Sequence, residues 1–95
     1  MRITDLPEET RLIQLAEEAS ELSQAALKLV RAMHGDTPVP EDQARNKLLE
    51  EIADTRVCTC AIMSRFDEVA VEWICKKKIK RWEGRINAND RNRAG

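Results

Sequence analysis

Apolar residues recur at alternating intervals of three and four between Leu12 and Met33: Leu12, Leu15, Ala19, Leu22, Ala26, Leu29 and Met33. Only an α-helix brings such positions to one side, and this spacing is the seam of a helix bundle or coiled coil. Ala25 and Val30 widen the stripe, while Ile13 and Leu27 fall on other sides of the helix. A second face is therefore expected to meet another helix or another chain. No alternating β-branched run supports a strand. Ala, Leu, Glu, Lys and Arg abound, which favours helix throughout. The expected class is all-α, a bundle of three main helices whose four-helix-type core is completed by oligomerisation.

Ninety-five residues make one domain with a modest core. Residues 1–6 read as a lead-in. Asp5-Leu6-Pro7-Glu8 reads as a helix start, with Asp5 as N-cap and Pro7 in the first turn. The first helix is expected to end near His34, with Gly35 just past it and prolines at 38 and 40 preventing continuation. His34, the only histidine, reads as a helix-end residue. A second helix is expected from about Glu41 to about Ser64. Its latter part, Val57 to Met63, carries no charge on any side and is expected to be buried all round. Asp67 would cap a third helix from about Glu68 to Ile86, with Val71, Ile74, Cys75, Ile79, Trp82 and Ile86 as its apolar stripe. The segment 87–95 is polar and reads as a flexible tail.

Two acidic runs break the pattern, Glu17-Glu18-Ala19-Ser20-Glu21 and Glu50-Glu51-Ile52-Ala53-Asp54. Each sets carboxylates three residues apart, Glu18 with Glu21 and Glu51 with Asp54, neighbours on a helix surface. At about 100° per residue, Glu18 lies roughly 60° from the seam centre, inside the widened apolar arc, and Glu21 lies at its border. Acids on a merely solvated face would point away from the seam. Glu51 and Asp54 immediately precede the uncharged half of the second helix, at the mouth of the core. Four carboxylates crowded there repel one another, and a hard divalent cation such as Mg²⁺ relieves that cost through oxygen ligation.

The net charge is −1, with acid dominating before Asp54 and base from Lys76 onward. That balance, with only Trp73, Trp82 and Phe66 as aromatics, argues against a nucleic-acid binder. No apolar stretch is long enough to span a membrane, and the N-terminus lacks the apolar core of a signal peptide. Cys58, Cys60 and Cys75 are an odd number without chelating spacing, and read as small core residues in a reducing cytoplasm. On the third helix, Lys78 and Arg85 project on the flank of the stripe with Arg81 just beyond, while Lys76, Lys77 and Lys80 point away.

Glu17-Glu18-x-x-Glu21 followed by Glu51-x-x-Asp54 on the next helix resembles the hallmark of the MazG-like, all-α nucleoside triphosphate pyrophosphohydrolases. Lys78-x-x-Arg81-Trp82-x-x-Arg85 resembles the basic end of that family's last core helix, and the likeness covers about Leu12 to Ile86. The stretch between the acidic runs is somewhat long for the family. The resemblance implies Mg²⁺-dependent cleavage of a (deoxy)nucleoside triphosphate to monophosphate and pyrophosphate, with Mn²⁺ as a substitute ion. It implies Glu18, Glu21, Glu51 and Asp54 as metal ligands, and Glu17 and Glu50 to orient a water or hold a second ion. Lys78, Arg81 and Arg85 would steady the pyrophosphate, and the chain would work as a homodimer or homotetramer. The phosphoribosyl-ATP branch of the family carries a basic Lys-x-Gly-Glu-Glu loop between the acidic runs, and no counterpart stands here. A non-enzymatic helical module for oligomerisation or partner binding is the competing expectation. It explains the seam but not the intrusion of Glu18 upon it.

Overall fold

The computed structural model describes residues 1–94 and is all-α. A short 3₁₀ turn, Ile3–Asp5, precedes three helices: α1 (Glu8–Met33), α2 (Glu41–Ile62) and α3 (Arg65–Ala94). The chain divides into two compact units, Met1–Ile62 and the part from Met63 onward.

In the first unit α1 and α2 pack antiparallel. The Arg11 guanidinium near the start of α1 donates to the Ala61 carbonyl at the end of α2. The Thr55 hydroxyl lies 3.5 Å from the Glu18 carbonyl. On α1 the buried and half-buried positions are Arg11, Leu15, Glu18, Leu22, Ala25, Leu29 and Ala32. On α2 they include Ala44, Leu48, Glu51, Thr55, Cys58 and Ile62. Both runs alternate steps of four and three, so each helix offers the other a seam. Leu15, Leu22 and Leu29 belong to it as the apolar spacing predicts. Leu12, Ala19, Ala26 and Met33 do not, and are exposed. The helix carries two adjacent apolar faces, and α2 takes the one that includes Glu18. The other, Leu12, Ala16, Ala19, Ser23, Ala26, Val30 and Met33, stays exposed.

The reversal between α1 and α2 follows from Gly35. It is the only positive-φ glycine, at +71°, among the described residues. Its N–H donates to Ala32 and that of Asp36 donates to Arg31, two carbonyls that the helix end leaves open. A Cβ here would meet the left-handed backbone penalty, which glycine avoids.

Several expected details differ. Asp5 does not cap α1. Its carboxylate accepts from the Arg2 N–H at 2.7 Å and closes the 3₁₀ turn, and Pro7 stands at the α1 N-cap without a side-chain bond. Ser64, not Asp67, caps the start of α3: its hydroxyl accepts from the Asp67 N–H at 3.1 Å while the Asp67 carboxylate accepts from the Ser64 N–H at 2.9 Å. That reciprocal pair satisfies two open helix donors and holds the Asp67 carboxyl below its ordinary range. The 87–94 stretch continues α3, having no Pro or Gly to stop it. Position 95 of the expected tail lies outside the described residues.

Within the Met1–Ile62 unit α1 covers one side of the uncharged half of α2: Ala61 is buried, Cys58, Thr59 and Ile62 are half-buried, and Val57 and Cys60 are exposed. Cys75 is exposed too, so of the three thiols only Cys58 enters a packed face. From Arg65 to Arg93 the residues of α3 are exposed, including Trp73, Ile79 and Trp82. Lys77 rests over the Trp73 ring, 3.7 Å from its centroid. No helix among the described residues is long and apolar enough to cross a membrane.

Candidate metal centre

Glu18 reaches the centre of the hairpin because it occupies a seam position between Leu15 and Leu22. Glu51 occupies the facing seam on α2, and Asp54 stands one turn on. One carboxylate oxygen from each of Glu18, Glu51 and Asp54 lies within 4.8 Å of the others. Opposite ligands of a Mg²⁺ ion at about 2.1 Å each are about 4.2 Å apart, so three oxygens of this spread match one hard cation after small rotamer adjustments.

Burial makes the cluster more than a charged surface. The Glu51 side chain is 4% exposed. Its Oε1 lies 3.1 Å from Lys47 Nζ, one helical turn away. Its Oε2 is buried with no hydrogen-bond partner, and so is Glu18 Oε2. Unpartnered buried carboxylate oxygens are costly, and call for an ion or a donor. The donor set is all oxygen, the chemistry of Mg²⁺ or Ca²⁺ rather than of soft metals.

Of the four carboxylates expected as ligands, three are brought together. Glu21 is exposed and outside the group, although its charge acts on Glu18. Glu17 is exposed on α1. Glu50 is 70% exposed, with Oε2 3.7 Å from Lys47 Nζ. Lys78, Arg81 and Arg85 are exposed on α3 at steps of three and four, hence on one side of that helix.

Three further residues belong to the centre. Lys47 is the only cation paired to Glu51 among the described residues, and its place four residues before Glu51 was legible in the spacing. Thr55 donates its hydroxyl to the Glu51 carbonyl at 2.8 Å and fills the seam beside Glu18. Arg11 lies one heptad before Glu18 and clasps the hairpin, its Nε donating to the Leu6 carbonyl at 3.0 Å. A cleft of about 380 Å³ opens beside the triad, lined by Arg11, Gln14, Glu18, Asp54, Val57 and Cys58 among others. Burial, with the charges of Glu18 and Asp54, pushes the Cys58 thiol up, which disfavours the thiolate.

The Glu18 carboxyl is held above the usual carboxylate range, first by burial and then by the charges of Glu21 and Asp54. A value higher in the folded than in the unfolded chain means that folding favours the protonated form. The stabilising contribution is complete below the unfolded pKa and is lost as pH rises through the folded one. For the metal-free chain, this group's share of stability should therefore fall from about pH 4 upward. Glu18→Gln should remove that share. Melting curves in chelator across this range test it, and identical pH slopes in parent and variant would refute it.

No family model matches the chain, and neither a curated protein nor a solved structure matches it.

Proposed function

We propose that the chain is a divalent-cation-dependent hydrolase that cleaves a (deoxy)nucleoside triphosphate to monophosphate and pyrophosphate. One observation carries the reading: a carboxylate as buried as Glu51, with an unpartnered oxygen, faces two more carboxylates at ligand spacing. Solvated acids need no such burial. A non-enzymatic helical module accounts for the seams but leaves the orphaned oxygens of Glu18 and Glu51 without a purpose.

On this reading Glu18, Glu51 and Asp54 hold Mg²⁺, or Mn²⁺ in its place, and Glu21 lends negative charge at the edge. A bound Mg²⁺ supplies charge neutralisation for phosphate oxygens and a more acidic water. Glu17, and Glu50 once released from Lys47, are the carboxylates that would orient a water or hold a second ion. The cleft beside Glu18 and Asp54 offers apolar walls at Val57 and polar ends at Arg11 and Gln14 to the nucleoside. Lys78, Arg81 and Arg85 are the cations that α3 contributes to the phosphates during turnover. The second apolar face of α1 is covered by another copy, as a homodimer or homotetramer. The free thiols suit a reducing cytoplasm.

The test is a screen of ribo- and deoxyribonucleoside triphosphates for pyrophosphate release. Release that needs Mg²⁺ or Mn²⁺ and stops with chelator is the expected result. No release from any nucleotide, with metal saturating, would end the hydrolase reading.

A further inference from the structure

A second and larger cleft, about 620 Å³, lies at the loop end of the α1–α2 hairpin. Lys28 and Arg31 come to it from α1, and Lys47 with the amides of Gln43 and Asn46 from α2. The loop from Asp36 to Val39 forms a third wall. Two carboxylates, Asp36 and Glu50, also line it against the three cations. Glu50 is already engaged by Lys47 at 3.7 Å. Among the described residues Lys28 and Arg31 make no ion pair.

Lys28 and Arg31 are three apart on a helix and therefore adjacent. Two neighbouring cations without ion-pair partners line this concave wall and raise the positive potential along it. Arg31 offers a planar fork suited to phosphate oxygens, and the amide side chains add neutral donors. Lys47 joins this cleft to the metal centre, since its Nζ is also 3.1 Å from Glu51 Oε1. An anion that touches Lys47 from the cleft thus lies next to the carboxylate triad. A single phosphate would use only part of the wall. A chain of phosphates can engage Lys28 and Arg31 at one end and Lys47 at the other.

We propose that this cleft is a polyphosphate site, in which Lys28, Arg31 and Lys47 anchor the triphosphate of the substrate. The choice of a triphosphate as ligand rests on the hydrolase reading, while the anion site itself stands on the cleft. Its lining lies within the α1–α2 unit, so it can hold an anion in the absence of metal.

The test is calorimetric titration of inorganic tripolyphosphate into the full chain in chelator at low salt. The parent should bind. Lys28→Ala with Arg31→Ala should weaken binding at least about tenfold, the loss of two charge-assisted contacts. Alanine is the strongest helix former, so α1 should persist, as circular dichroism would confirm. Lys76→Ala with Lys80→Ala, two exposed α3 cations outside the proposed site, should leave metal-free binding unchanged. Unaltered binding in the cleft variant, loss in the α3 variant, or equally tight binding of sulfate at matched ionic strength would each overturn the assignment. A parallel titration with Mg²⁺ alone separates the two readings. If the ion fails to bind while tripolyphosphate still requires Lys28 and Arg31, the hydrolase falls and the anion cleft remains.

Discussion

Glu51→Gln should abolish Mg²⁺ binding and turnover together while leaving the metal-free chain as stable as the parent or more so. The substitution keeps the shape of the side chain and removes one charge and one ligand oxygen. Its cost is the pairing with Lys47, an i,i+4 contact to a lysine that is 60% exposed. Such pairs contribute about 0.3–0.5 kcal/mol. Its gain is relief of a buried oxygen that has no partner, where penalties run to about 1–3 kcal/mol. The amide also brings an N–H donor among the carboxylates of Glu18 and Asp54, turning repulsion into a hydrogen bond. The gain exceeds the cost, so melting in chelator should be unchanged or higher. Residues that only support metal ligands cost about 10–100-fold on mutation, so loss of a ligand should exceed about a hundredfold in affinity and in rate. Glu9→Gln, exposed in the first turn of α1, should stay within about 0.5 kcal/mol and keep full activity. Calorimetry with Mg²⁺, melting in chelator and pyrophosphate release measure the three quantities. Full turnover in the Glu51→Gln protein would remove the triad from the mechanism.

The second large effect concerns assembly. The parent should sediment as a dimer or tetramer at micromolar concentration, and Ala26→Glu with Val30→Glu should convert it to monomer. Ala26 and Val30 lie on the exposed apolar face of α1, with Val30 at 47% exposure, Leu12 at 46% and Met33 at 55%. Neither substituted side chain is among the buried residues of α1, so the hairpin should keep its helicity. Val30 is already about half covered within one copy, so each copy would lose half of the ~1.5–3 kcal/mol of a full burial there, and would have to bury two carboxylates. At 1.4 kcal/mol per decade this weakens association by more than about a thousandfold. A parent that is already monomeric, or a variant that stays associated, would show that this face is not the interface.

The triad was legible in the sequence because three-residue spacing and an acid near an apolar seam are both helix-periodic signals. The register of that seam was not. Leu15, Leu22 and Leu29 fit either of two adjacent faces, and hydrophobicity alone prefers the one with Leu12 and Met33. The hairpin settles on the other, where Arg11 and Glu18 stand in seam positions. Their stems pack along the seam while Arg11 ties itself to the Leu6 and Ala61 carbonyls. Gly35 was legible as a helix stop because a left-handed residue has few occupants. Ser64 was missed as the cap of α3 because Asp67, its partner in the reciprocal bond, is itself a good capping residue. Glu21, expected as a ligand from its motif position, is exposed and outside the closest group of oxygens, though its carboxylate neighbours that of Glu18. Neither cleft could be read from the chain, since each is walled by residues far apart in sequence and needs the loop conformation.

The loop opened by Gly35 walls only the larger cleft, and no member of the acidic triad comes from it. On the hydrolase reading, chemistry and ligand choice therefore fall on separately mutable parts. Exchanges among Asp36, Thr37 and Val39 can reshape what the cleft accepts while Glu18, Glu51 and Asp54 keep their helical seats. A library confined to these positions, with Gly35 retained, would vary selectivity on an intact metal centre.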